Sequence, residues 1–443
     1  MIRSLAAAIA MLFMALAGPA AAADWAADWV PAWTASPQPV WGGDFLLPAD
    51  LPKSLEKRSV RQVVRIGIGG TAVRVRFSNA FGRSPVRIGA VHLARSAGGS
   101  AIRPDSGQAL RFGGAREAVL LPGASLLSDP VAMSVAAAED LAITAYLPDT
   151  TPVESFHWEG RRSGYIQSGE HLAATAFAAP EITRLRLFVS DVLVEADNVR
   201  GTVVVLGDSI TDGAGATMEA ETRWPDYLAA RAAPRGIAVV NAGISGARLL
   251  SDGMGVNALA RLDRDVFAQP GVRTLIVLIG INDIAWPGTP FAPNEPAMSF
   301  ERLSAGYRQL VARAHANGVR VIGATLTPFA GALPGTPLSA RYYSAEKDAL
   351  RRRVNDWIRT GGTFDAVVDF DRLLDDPAAP GTMRRDYDSG DRLHPGDAGN
   401  AAMAGAVDLD SLIAAESLFG NSRKSEFQGG VSPLPHPATH SVS

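Results

Sequence analysis

Val203-Val204-Val205-Leu206-Gly207-Asp208-Ser209-Ile210-Thr211-Asp212-Gly213 is an apolar run that stops abruptly in small and polar residues. Its apolar part does not alternate, so it reads as a strand buried on both faces, the pattern of a parallel sheet. The Gly-Asp-Ser that follows then lies at the carboxyl end of the strand, the edge where open α/β sheets bind ligands. The rhythm repeats downstream: Ile237–Val240, Leu275–Ile279, Val321–Leu326 and Ala366–Phe370 are further continuous apolar runs. Helical patterning fills the gaps at Thr222–Ala233, Asn257–Phe267, Phe300–Asn317 and Ser339–Arg359, and again after His394. Strand and helix in regular alternation predict a three-layer α/β domain over residues 198–418.

Upstream the pattern differs. Val73, Val75 and Phe77 alternate with Arg74, Arg76 and Ser78, and short runs at Leu141–Leu147 and Leu185–Val194 are separated by Gly and Pro. Residues 24–197 are therefore expected to form an all-β sandwich or jelly-roll-like domain. Two domains also suit 443 residues, because single cores stop growing near about 250–300 residues. Residues 1–23 read as an export signal, with Arg3, the apolar stretch Leu5–Ala17 and the small residues Ala21-Ala22-Ala23 before Asp24. The apolar run ends at Gly18-Pro19, short of the roughly 18–20 residues a membrane span needs, so the expectation is a secreted or periplasmic protein without a stable membrane anchor. Residues 419–443, rich in Gly, Ser and Pro, are expected to be a disordered tail.

Composition removes several function classes. The formal net charge of −3 comes with no long basic stripe, which argues against nucleic acid as a partner. Cysteine is absent, so disulfides, thiol nucleophiles and thiolate metal sites are all excluded.

Ser209 at a strand end could be a turn former or helix cap as readily as a nucleophile. Its flanks differ from the G-x-S-x-G elbow. Three later segments shift the balance. Asn241-Ala242-Gly243-Ile244-Ser245-Gly246 follows the second apolar run, and Gly243 would let its backbone N–H approach a substrate oxygen, or serve a tight turn. Gly280-Ile281-Asn282-Asp283 follows the third; Asn282 could aim a side-chain N–H at a developing oxyanion, or form a turn. Asp391-Arg392-Leu393-His394-Pro395 has the spacing to bring a carboxylate to imidazole Nδ1 and leave Nε2 free for a serine proton; alternatively Asp391 caps the next helix. Of seven histidines, His436 and His440 lie in the tail, His92, His157 and His171 in the β region and His315 on a predicted helix. That leaves His394 as the one on a loop after an α/β strand.

These four segments, in this order, resemble the four sequence blocks of the SGNH hydrolase superfamily, over roughly Asn198–Ser417. The leading block matches a G-D-S-I-T variant rather than strict G-D-S-L. The resemblance implies a flavodoxin-like sheet of about five parallel strands and acyl transfer without metal or cofactor. It implies Ser209 as nucleophile, His394 as base oriented by Asp391, and the N–H groups of Ser209, Gly243 and Asn282 as the oxyanion hole. The β half is similar to leading modules of exported SGNH esterases through Trp33-Thr34-Ala35-Ser36-Pro37 and Arg76-Phe77-Ser78-Asn79-Ala80-Phe81-Gly82.

The function expected on this basis is a secreted ester hydrolase acting on short-chain or acetyl esters, with a small-molecule or polysaccharide ester as substrate. Trp25, Trp29, Trp33, Trp41 and Trp158 could present an aromatic platform to sugar, or serve as core and interdomain packing. A lipolytic esterase is the alternative, although no amphipathic lid is evident; the stretch Trp286–Pro296 could wall an acyl pocket or be an ordinary loop. A non-catalytic carbohydrate-binding protein and a metal-dependent esterase are further alternatives. The first would be expected to have lost a triad position, and the second lacks a His cluster beside Asp208, Asp391 and His394.

Overall fold

Val73, Val75 and Phe77 point into a core they share with Val192 and Val194 on one neighbouring strand, and all five are essentially inaccessible to solvent. The computed structural model describes residues 29–413. The leader, Trp25 and the tail therefore lie outside the described residues. The strand Gly70–Ser78 pairs antiparallel with Val189–Glu195, which in turn pairs with Trp29–Thr34. A second antiparallel sheet runs through Glu181–Thr183, Gly164–Ser168, Arg58–Arg65, Asp140–Leu147 and Ala90–Gly98. One hydrophobic cluster draws on both sheets, for example Val60, Leu93 and Ile143 from the second. The alternating pattern is thus matched by an all-β region. Its other face is not open: Arg74 lies over the Trp29 ring and Arg76 pairs with Asp191 at 3.2 Å.

The second half holds a five-stranded, all-parallel sheet. Its strands are Ile237–Gly243, Gly201–Gly207, Val272–Leu278, Arg320–Ala324 and Ala366–Val368 in spatial order, or second, first, third, fourth, fifth. Val203 and Val205 face a core built with Trp224, Leu228, Phe370 and Met403. Val204 and Leu206 face a second core with Leu262, Leu303, Tyr307 and Val354. Both faces are covered, which is why the sequence of these strands does not alternate. The second and third strands lie on opposite sides of the first, so its carboxyl end is the switch point of the sheet, and Ser209 lies just beyond that end.

One element departs from expectation. The helix read over Ser339–Arg359 is two helices, Ser339–Tyr342 and Ala345–Thr360. Tyr343 between them is extended (φ −101°, ψ 142°), and Ser344 Oγ accepts the Lys347 N–H to start the second helix.

The segment Trp33–Pro37, read from sequence as a motif of the β half, is part of the seam between the halves. Thr34 Oγ donates to the Asn241 carbonyl (2.7 Å), Arg264 donates to the Pro37 carbonyl (3.0 Å) and Gln38 donates to the Met254 carbonyl (2.8 Å). Trp33 is core, and Trp41 packs edge-on against Phe156 and Trp158. These tryptophans serve packing. No described helix is long and apolar enough to cross a membrane.

Candidate active site

Ser209 opens a single helical turn, Ser209–Asp212, because Asp208 caps it by accepting the Ile210 N–H and Gly213 ends it in the left-handed region. Asp391 and His394 sit on a turn in which Arg392 has φ +60°. Asp391 Oδ1 accepts the backbone N–H groups of Leu393 (2.9 Å) and His394 (2.8 Å), and Oδ2 lies 2.6 Å from His394 Nδ1. A carboxylate only accepts, so Nδ1 carries the hydrogen and Nε2 turns its lone pair outward. Nε2 lies 2.8 Å from Ser209 Oγ. Gly215, at φ +87°, lets the chain after the nucleophile turn pass against this loop, since a Cβ there would stand 2.7 Å from the Pro395 carbonyl oxygen. Burial alone would raise the Asp391 carboxyl. The bond to His394 Nδ1, the charge of that ring and the two backbone N–H groups outweigh it and bring the group to about 2.

Asn282 lies in the short helix Ile281–Ala285, 2 % exposed. Its Nδ2 donates to the Ala247 carbonyl (3.0 Å) and its Oδ1 accepts from the Tyr342 hydroxyl (2.8 Å). An amide nitrogen carries two hydrogens, so one N–H remains to be given away.

Residues 205–402 match the sequence model of the GDSL-like Lipase/Acylhydrolase family. This segment is a GDSL-like acylhydrolase domain. The protein is accordingly a carboxylic ester hydrolase. Among solved structures, an acetylxylan esterase from Geobacillus stearothermophilus is 25% identical, covering 49% of this chain and 95% of its own, with a TM-score of 0.34. A GDSL-like lipase from Bacteroides thetaiotaomicron is 18% identical over 47% of this chain and 85% of its own, also at TM-score 0.34. No curated protein matches.

Within the acylhydrolase domain the structure corrects one expected donor. The Gly243 N–H is already given to Asn241 Oδ1 (2.8 Å), whose own Nδ2 donates to the Thr211 carbonyl (2.8 Å). Gly243 is the last residue of its strand, and a Cβ there would come within 2.4 Å of the Asp212 nitrogen. Its glycine lets strand and nucleophile turn touch; it does not leave a free donor. Gly246, three residues on, has φ +72° and an N–H that donates to no acceptor among the described residues. The Ala247 carbonyl that holds Asn282 belongs to the same turn. The Ser209 N–H likewise has no acceptor among the described residues. The Trp286 ring closes this side, packed on Phe291 (4.5 Å between centroids) and so near Gly246 that a Cβ would lie 3.0 Å from it.

His157 of the β region, set aside in the sequence because it falls outside the α/β half, reaches the nucleophile turn. Its Nε2 lies 3.0 Å from Asp212 Oδ1, and Nδ1 lies 3.1 Å from the Ser36 carbonyl. The first contact is close but poorly aligned for a hydrogen bond. Asp212 Oδ2 accepts from both N–H and Oγ of Ser245 (2.8 and 2.7 Å). No sequence signal could have joined residues 157, 212 and 245, since one ends a strand of the β region, one ends the nucleophile turn and one lies in the turn after the strand Ile237–Gly243.

Two further acids are buried here. Burial pushes Asp208 up to about 7, and its Oδ2 has no hydrogen-bond partner. Burial also pushes Asp283 up to about 6, although the N–H groups of Leu249 and Leu250 oppose it. Among the described residues no group of three or more His, Cys, Asp or Glu is placed to hold a metal ion.

Proposed function

We propose that Ser209, His394 and Asp391 are the catalytic triad of this ester hydrolase, and that an exported protein uses it on short-chain, chiefly acetyl, esters of carbohydrate. One observation carries the triad: the unbroken path from Ser209 Oγ through both ring nitrogens of His394 to Asp391, at 2.8 and 2.6 Å. In this reading His394 Nε2 takes the hydroxyl proton as Ser209 Oγ attacks the ester carbonyl. The oxyanion is met by the N–H groups of Ser209 and Gly246 and by the remaining Asn282 Nδ2–H, with Gly246 taking the role first expected of Gly243. His394 then protonates the departing alcohol, and water repeats the cycle on the acyl-enzyme. Asp391, held near 2, stays ionised throughout and stabilises the imidazolium without accepting its proton.

The carbohydrate substrate rests on the leader-like first 23 residues and on the β region packed along the hydrolase domain. The test compares wild type with Ser209→Ala on p-nitrophenyl acetate and octanoate, and then on acetate release from acetylated xylan and mannan. Ser209-dependent activity concentrated on acetyl groups of the polymer supports the proposal. Equal or better cleavage of the octanoate without polymer activity makes it a lipolytic esterase. Retained turnover in Ser209→Ala refutes the triad. A structure of phosphonate-labelled enzyme should show the phosphoryl oxygen on Ser209 N, Gly246 N and Asn282 Nδ2, with Gly243 N still on Asn241.

A further inference from the structure

We propose that Tyr342 is a positioning residue for the oxyanion donor of Asn282; this rests on the role given to Asn282 above. Both side chains are buried to 2 % exposure, so the amide cannot find its orientation from solvent. The Ala247 carbonyl can only accept, and it takes one Nδ2–H. The Tyr342 hydroxyl, 2.8 Å from Oδ1, donates to the other end of the amide. Together they leave one side-chain N–H uncommitted and fix its direction. A bond to the amide oxygen also draws electron density from the nitrogen and makes the remaining N–H a better donor. Without the hydroxyl, Oδ1 would be a buried acceptor with no partner, and the amide would rotate toward another donor.

The surroundings hold the phenol in place. Lys347 Nζ donates to the Arg341 carbonyl (2.6 Å), next to Tyr342, and to the carbonyls of Ala285 (2.6 Å) and Pro287 (3.1 Å), just past Asn282. One ammonium group thus ties the tyrosine's short helix to the helix of Asn282. The Phe329 ring packs edge-on against Tyr342. Burial pushes the phenol well above its ordinary value, and the charges of Asp208 and Asp391 add to this, so it remains a donor over the working pH range.

The test measures kcat and KM for p-nitrophenyl acetate in the full chain for Tyr342→Phe, Asn282→Ala and the double variant. Asn282→Ala should lower kcat by about 10² to 10³. Tyr342→Phe, which keeps the ring and so the packing, should lower kcat by about tenfold with KM within about twofold, since the donor is loosened and not removed. In the Asn282→Ala background the same change should alter kcat by less than about twofold, because there is no amide left to position. Lys347→Met provides a second perturbation of the same segment and should show the same dependence on Asn282. Normal kcat in Tyr342→Phe beside an impaired Asn282→Ala would overturn this inference alone. An equal loss in both backgrounds would overturn it too, by showing that the tyrosine acts through general packing. Normal turnover in Asn282→Ala would remove the role of Asn282 and this inference with it.

Discussion

Replacing His157 with alanine tests whether the β region is physically part of the active-site framework. Asp212 is 1 % exposed, and its Oδ1 faces His157 Nε2 alone, while Oδ2 keeps its two Ser245 donors. Arg223 and Arg261 act on this carboxylate only through longer-range charge attraction. Removing a polar partner of a buried carboxylate typically costs about 1–3 kcal/mol, because the charge stays behind in a medium that solvates it poorly. The surviving Ser245 bonds place the expectation at about 2 kcal/mol, and the lost Nδ1 contact to the Ser36 carbonyl adds about 1 kcal/mol. Burial alone would raise the Asp212 carboxyl, but His157 and Ser245 together hold it below its ordinary value. A depressed acid contributes stability that is fully present above its unfolded value, near about 4, and is lost as pH falls through the folded value. The difference between wild type and His157→Ala should therefore shrink as pH falls below about 4 and Asp212 is protonated. Urea unfolding, followed by fluorescence and by far-UV circular dichroism, measures it. The control is Asp212→Asn: with no charge to strand, removing His157 should cost less than about 1–2 kcal/mol further. A His157→Ala protein within about 0.5 kcal/mol of wild type, or an equal loss in both backgrounds, would refute the pairing argument.

Asp391→Asn should lower kcat by about 10⁴ while leaving the fold intact, because the amide can present its N–H to His394 Nδ1 and so favour the wrong tautomer; steady-state kinetics with a circular dichroism control reads this out. Asp208→Asn should stabilise the protein increasingly as pH rises. The native carboxyl titrates near 7 and the unfolded one near about 4, so wild type loses stability across that interval, by on the order of 2–4 kcal/mol in total. Melting temperatures of the two proteins should converge near pH 4 and separate by pH 8; a constant offset would count against a raised Asp208.

The parallel sheet was legible because both its faces are covered, which forces unbroken apolar runs such as Val203–Leu206 and leaves little room for another reading. The β region was legible as a class through the Val73, Val75 and Phe77 alternation, but not its strand pairing, since antiparallel partners such as Gly70–Ser78 and Val189–Glu195 lie more than 100 residues apart. The helix over Ser339–Arg359 was read as one because its periodicity survives the break. Only the extended Tyr343 and the Ser344 cap, settled by packing, divide it.

By itself the sequence determined which residue types follow the carboxyl ends of successive strands, and so brought Ser209 and Asn282 to one edge of the sheet, whereas Asp391 and His394 lie beyond the helix Phe370–Leu374 that follows the fifth strand. Local chain geometry is enough for that, because a strand delivers its following loop to a known side of the sheet. Tertiary structure decided which groups are free to act. Gly243 ends its strand and Gly246 lies three residues on, but Asn241 Oδ1 accepts the first N–H at 2.8 Å, while the second has no acceptor among the described residues. Likewise Tyr342 and His157 reach the site from a distant segment and from the β region. Hydrogen-bond partners are chosen by what else is buried at the same point, and that is settled only when distant segments pack together.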